Sequence, residues 1–253
     1  MGGDKKMKDL WICQKWKMKN VGSTLSEIIE VGGKRTVWHE HRIKHLSENV
    51  WCLYQALQIV GGVKSVIDLC AGIGLWAKVI EQEIKPLRLT LIDLDYACCE
   101  RLKTQFPTAD VLSDNYWNIS CRGYDLVCMD VTISTAHRIF DNNPDIPLMK
   151  VLGEGVTWII ISDCAAPKLH LNKKSYENVL KGEIDSYEDY IRLYSKRLLN
   201  KTGKSIHTVF LSGGSKRPHS SYFLIKNDAR DFEIKRVENV PESSFYRGDL
   251  LND

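Results

Sequence analysis

The sequence predicts a three-layer α/β sandwich: a seven-stranded, mostly parallel sheet with an antiparallel last strand and helices on both faces. Two observations carry this. From Val63 onward, short runs rich in Val, Ile and Leu alternate with helical patterns. Strands that alternate with helices imply parallel pairing through right-handed crossovers. The last two strand candidates have only Ser212–Ser220 between them, too short for a crossover helix, so they are expected to pair antiparallel.

The elements follow in order. Ile43, Leu46, Val50, Leu53, Leu57 and Val60 recur at alternating intervals of three and four, one face of an amphipathic helix. Gly61-Gly62 stops it. The strand candidates are Val63–Cys70, Leu87–Leu94, Ala109–Leu112, Tyr124–Val131, Val156–Asp163, Ile206–Leu211 and Ser221–Lys226. Helical patterns fill Leu75–Ile84, Tyr96–Gln105 and Tyr187–Leu199; ahead of the last, Ser186-x-x-Asp189 reads as a capping box. The expected organisation is a basic N-terminal extension (1–42), one domain (43–227), and a C-terminal extension (228–253) packed on the domain or trailing from it.

Composition narrows the class. The chain of 253 residues is 43% hydrophobic and 26% charged, the balance of an ordinary soluble globular protein. Disorder over most of its length is excluded. No apolar run approaches the roughly 20 residues that span a bilayer, and the N-terminus lacks the apolar segment of a signal peptide. A soluble, cytoplasmic protein without a membrane partner is expected. Eight cysteines, several within apolar runs and without a CxxC pair, read as buried free thiols in a reducing compartment. The net charge of +3 is unevenly spread: residues 1–20 hold six lysines against Asp4 and Asp9, a balance of +4 that leaves −1 for the other 233. Such a segment attracts polyanions or is a solvated tail. Trp11 and Trp16 among the lysines tilt it toward a docking surface.

The strongest local signal is Val66-Ile67-Asp68-Leu69-Cys70-Ala71-Gly72-Ile73-Gly74-Leu75-Trp76. A buried strand delivers a carboxylate at Asp68, and two glycines then open a helix. The backbone turns sharply there and passes close to a ligand, which side chains at 72 and 74 would block. A dinucleotide site is the alternative, but the acid before the turn argues against a phosphate nearby. A second strand ends in Leu91-Ile92-Asp93-Leu94-Asp95, which puts an acid nineteen residues after Gly74, the distance at which a carboxylate reaches ribose hydroxyls. Asp95 also suits a helix N-cap. After the third strand comes Ser113-Asp114-Asn115-Tyr116-Trp117, and the fourth runs Tyr124–Val131 with Asp130 near its end.

These pieces, over about residues 43–227, resemble the class I (Rossmann-like) S-adenosylmethionine-dependent methyltransferase superfamily. The resemblance implies S-adenosyl-L-methionine as cofactor. Asp68 would face the methionine amine, and Cys70, Ala71, Gly72, Gly74 and Trp76 would form the turn beneath it. Asp93, or Asp95 as the fallback, would bind both ribose hydroxyls, with Leu94 beside Asp93. Asp114 would meet the adenine amino group, with Asn115 and Tyr116 flanking the base. Asp130 would lie near the transferred methyl group.

The acceptor is less marked. Asp130-Val131-Thr132-Ile133 lacks the prolines of amino-methylating nucleic-acid enzymes, and Cys128 lacks the Pro-Cys setting of a cytosine-C5 nucleophile. The last hairpin, Ser215–Leu224, weakly resembles that of ribose 2′-O-methyltransferases, whose Lys-Asp-Lys-Glu set deprotonates an alcohol. Asp130 matches its acid and Lys168 lies late for its second lysine. Lys34 or Lys44 would supply the first, and Ser221 or Tyr222 stands where glutamate is needed. Lys168, Lys216, Arg217 and His219 are candidates for binding substrate phosphates, with His170, Lys173 and Lys174 nearby. His41 and His45 are four residues apart without an HExxH pattern, and no metal is expected. Three readings remain: a methyltransferase acting on nucleic acid, RNA rather than DNA; an inactive methyltransferase-like binding or scaffold subunit; or a small-molecule or protein methyltransferase. A protein partner is possible, and nothing in the sequence identifies one.

Overall fold

In the computed structural model, residues 51–72, 74–129, 146–163, 169–212, 220–226 and 232–237 are described. They fall within one compact unit, residues 48–239. The described residues begin in a helix over residues 51–60 (α1) and then alternate: β1 (Ser65–Asp68), α2 (Leu75–Glu83), β2 (Arg88–Asp93), α3 (Tyr96–Gln105), β3 (Asp110–Ser113), a 3-10 turn (Tyr116–Asn118) and β4 (Leu126–Met129). There follow α4 (Ile146–Gly153), β5 (Trp158–Asp163), α5 (Leu169–Leu180), α6 (Tyr187–Thr202), β6 (Ser205–Ser212), β7 (Ser220–Lys226) and β8 (Glu233–Val237).

The eight strands among the described residues join one sheet in the order β3-β2-β1-β4-β5-β7-β6-β8. β3 to β5 pair in parallel, with Ile67 opposite Thr90 on one side and Val127 on the other. β7 runs antiparallel to both β5 and β6, as the short connection requires. β8 is an addition to the seven expected strands. It lies parallel to β6 at the sheet edge, within the stretch read from sequence as a C-terminal extension.

Side chains alternate across a strand, and the central strands are buried on both faces. On one face Ile67, Val127, Met129, Ile159 and Ile161 join a cluster with Tyr176, Tyr190, Ile191, Tyr194 and Leu198 of α5 and α6. Aromatic rings run through it: Tyr190 lies 5.4 Å from Tyr176 and 6.1 Å from Tyr194, and Tyr194 lies 5.8 Å from Phe223. α6 starts as its sequence requires. Ser186 Oγ accepts from Asp189 N at 3.1 Å, and Asp189 Oδ2 accepts from Ser186 N at 2.8 Å. Among the described residues, no helix is long and apolar enough to cross a membrane. The expected helix start at 43–50 and the basic segment 1–20 lie outside the described residues.

Candidate functional site

The candidate site lies where β1, β2 and β3 end side by side. β1 stops at Asp68, fully buried, whose Oδ1 accepts from Cys70 N at 3.3 Å. The chain beyond is fastened on both sides: Leu69 N donates to Cys128 O at 2.9 Å, and Ala71 N donates to Ile92 O at 2.9 Å. Gly72 then takes φ 55° and Gly74 φ 90°, left-handed values that favour glycine. Gly72 N donates to Asp93 Oδ2 at 2.8 Å, which ties this turn to the end of β2. Asp93 Oδ1 accepts from Asp95 N at 2.8 Å, and Asp114 N donates to Asp93 O at 3.1 Å. Three strand ends, each with an aspartate at or just after it, are thereby sewn into one ledge.

The loop after β3 is held by its own polar groups. Asp114 Oδ1 accepts from Asn115 N (2.6 Å) and Asn118 Nδ2 (2.9 Å), and Asn115 Oδ1 accepts from Trp117 N at 3.1 Å. Tyr116 packs against the core, where burial, with the Cys70 thiol nearby, pushes its phenol up.

No known protein family matches the sequence, and no curated protein does. Solved structures do. A crystal structure of the plantazolicin methyltransferase BpumL, in complex with a triazolic desmethylPZN analogue and SAH, covers 88% of this chain and 99% of its own, with a TM-score of 0.50 at 15% identity. The fold is that of the class I methyltransferases. The methyltransferase domain of a bacterial Hen1 is also similar, covering 71% of this chain and 97% of its own, with a TM-score of 0.49 at 14% identity.

In a class I methyltransferase fold, the ledge can be tested for fit to an S-adenosyl nucleoside. Among the described residues, nothing comes within 4 Å of a Cβ built at Gly72, so they leave the space beside the turn open. Each Asp93 oxygen accepts one of these amides. An ionised carboxylate offers about four acceptor sites, so Asp93 retains capacity for hydroxyls. Leu94 is 40% exposed next to it. These residues fit the cofactor.

Some sequence expectations gain a second cause. Gly74 has a packing reason to be glycine: a Cβ there would meet Phe106 Cε2 at 2.7 Å and Leu102 Cδ2 at 2.9 Å, so this glycine lets α2 pack against the end of α3. Trp76, read as a cofactor contact, is buried with its ring 5.5 Å from that of Tyr222 on β7, a packing contact. Asp95 caps α3, accepting from Ala97 N and Cys98 N at 2.7 and 3.1 Å. Cys128 is fully buried, and burial pushes its thiol up, with Asp68 adding to the shift, as suits a core thiol. Lys173, grouped with the phosphate contacts, pairs with Asp185 at 2.9 Å and Glu177 at 3.6 Å. Asp130, Lys168, Lys216, Arg217 and His219 lie outside the described residues. Lys150 and Glu154 of the α4 segment, absent from the sequence reading, bond directly to the loop after β3.

Proposed function

We propose that this chain is a cytoplasmic methyltransferase that binds S-adenosyl-L-methionine and methylates nucleic acid, RNA rather than DNA. The hydrogen bond from Gly72 N to Asp93 Oδ2 carries the cofactor reading. It joins the glycine turn to the acid that would bind a ribose, so both are preset before a ligand arrives. When bound, the cofactor supplies an activated methyl group. Asp68 and the backbone of Cys70, Ala71 and Gly72 would hold its amino-acid end, Asp93 and Leu94 its ribose, and Asp114 and Asn115 its base. Direct displacement needs alignment of acceptor and methyl carbon more than it needs acid–base groups. The chain's main task is therefore to position both. Asp130 and Lys168 are the groups proposed to meet the acceptor.

The nucleic-acid reading rests on charge: the six lysines of residues 1–20, together with Lys168, Lys216, Arg217 and His219. A second reading, an inactive methyltransferase-like binding or scaffold subunit, draws on Tyr222. This residue stands at one of the two positions where a 2′-O-methyltransferase would carry glutamate, and it is buried against Trp76. Calorimetric titration with S-adenosylhomocysteine, then transfer from labelled cofactor to pooled RNA, DNA and protein, separates the readings. Binding with label in RNA supports the first. Binding without transfer supports the second. Label in protein alone removes the nucleic-acid substrate, and no heat at millimolar ligand overturns the first reading.

A further inference from the structure

We propose that Lys150 and Glu154 are positioning residues that clamp the loop after β3 in the shape that receives the cofactor's base. The inference rests on the cofactor reading above. β3 lies at the sheet edge with its residues exposed or half-buried, so the loop it feeds gains little support from packing along the strand. Beyond its own polar groups, its support comes from Lys150 of α4 and from Glu154 just past it. Lys150 Nζ donates to the carbonyl oxygens of Ile119 (2.5 Å), Trp117 (2.6 Å) and Tyr116 (3.4 Å). An ammonium has three N–H donors, and these three carbonyls can take them all. The same ammonium lies 5.7 Å from the centroid of the Trp117 ring, within reach of a cation–π attraction.

Glu154 follows four residues later, just beyond the end of α4. Its Oε2 accepts from Cys121 N and, at 3.3 Å, from Ser120 Oγ. The loop is thus bracketed by opposite charges: a cation on the carbonyls of 116–119, a carboxylate on the donors of 120–121. Each charge meets backbone groups of the complementary sign. A solvated surface pair would show no such match. Between the brackets and β3 stand Asp114 and Asn115, assigned to the base; Tyr116, whose carbonyl is itself bracketed, also packs against the core. Neither Lys150 nor Glu154 needs to touch the ligand. They act by fixing backbone that does.

The test uses the full chain and three variants. Lys150→Met keeps the apolar stem and removes every donor; Lys150→Arg keeps charge and donors; Glu154→Gln halves the charge bracket. Three readouts are taken: backbone amide exchange at residues 114–121 without ligand, calorimetric affinity for S-adenosylhomocysteine, and the thermal midpoint. In Lys150→Met, loop exchange is expected to quicken, and affinity to fall, each by about tenfold, the scale of charge-assisted hydrogen bonds lost. Lys150→Arg should recover most of both. A purely structural role would lower the midpoint without a selective change at 114–121. Unchanged exchange there, or a loosened loop with unchanged affinity, overturns this proposal alone. A wild-type chain that binds no S-adenosylhomocysteine overturns the cofactor reading and this proposal's ligand together, and the exchange arm still reports whether the clamp exists. Should Lys150→Met fail to fold, Glu154→Gln applies the same criteria from the other end of the loop.

Discussion

Asp125 and Asp93 both bridge neighbouring strands with a carboxylate, at opposite ends of the same sheet. Asp125, where β4 begins, gathers three donors on Oδ2: Lys64 N at 2.9 Å, Ser65 N at 3.0 Å and Ser65 Oγ at 2.9 Å. Asp93, where β2 ends, divides its bonds, with Oδ2 taking Gly72 N and Oδ1 taking Asp95 N. The first fastens strand starts, with its bonds concentrated on one atom. The second fastens loops at the carboxyl ends of parallel strands, where ligands bind in open α/β sheets, and it keeps acceptor capacity on both atoms. One chemistry serves as glue at one end and as glue plus receptor at the other.

Substitutions can break that contrast. The largest effect is expected from Gly72→Val, with affinity for S-adenosylhomocysteine falling at least about a hundredfold as a branched side chain enters the open space. Its left-handed backbone should cost only ~1–2 kcal/mol of stability. Titration beside thermal unfolding checks both, and near-normal affinity would mean the space is not the cofactor's. Asp93→Ala should weaken the same binding by about 1–3 kcal/mol. Asp125→Ala should do the reverse, lowering unfolding free energy in urea by about 2 kcal/mol and leaving affinity within about twofold of wild type.

The Asp125 carboxyl is also a pH probe. Burial opposes its ionisation, but the hydrogen bonds from Ser65 and the amides of Lys64 and Ser65 outweigh this and hold it below its ordinary value. A depressed folded-state value means the stabilisation is complete above the unfolded carboxyl's range, near pH 4. It is lost as pH falls from there through the folded value. The stability gap between wild type and Asp125→Ala should therefore be constant near neutrality and close in acid. A gap that widens on acidification would reverse the assignment. The smallest expected effect is that of Asp95→Ala, about 1 kcal/mol of stability from the lost N-cap of α3 with cofactor affinity unchanged. A loss of affinity there instead would move the ribose contact from Asp93 to Asp95.

How much of this was legible in the sequence depends on how local the cause is. β1, β2, β4 and β5 stand out because strands buried on both faces read as near-continuous apolar runs. The turn at Cys70–Gly74 is legible because its backbone needs sit within a few residues. β8 is not: Glu233, Lys235 and Arg236 leave only Ile234 and Val237 as apolar signal, and the strand exists because β6 offers it an edge. α4 and α5 fall in stretches read without elements, and Pro147 in the first turn of α4 looks like a breaker although a helix tolerates proline there. In the site, Asp68, Gly72, Asp93 and Asp114 follow from motif position. The packing reason for Gly74 was not legible, since Phe106 is thirty-two residues away in sequence. Lys150 and Glu154 left no signal, because their partners lie 31 to 34 residues back and meet them only after the sheet has assembled.

The placement of β8 leads to an expectation about behaviour at high concentration. After β7 the chain passes beyond β6 and lays Glu233–Val237 along its far side, so β6, with Val209 and Phe210 fully buried, has a strand on each flank. A chain shortened after residue 227 would bare the backbone donors and acceptors of β6, half of whose residues are apolar, a template for pairing with another molecule. β8 itself carries Lys235 and Glu233, 3.5 Å apart, charges of the kind that discourage such pairing. The last strand is therefore expected to cap the sheet against self-association. Light scattering of the shortened and full chains should register it as concentration-dependent self-association in the former alone.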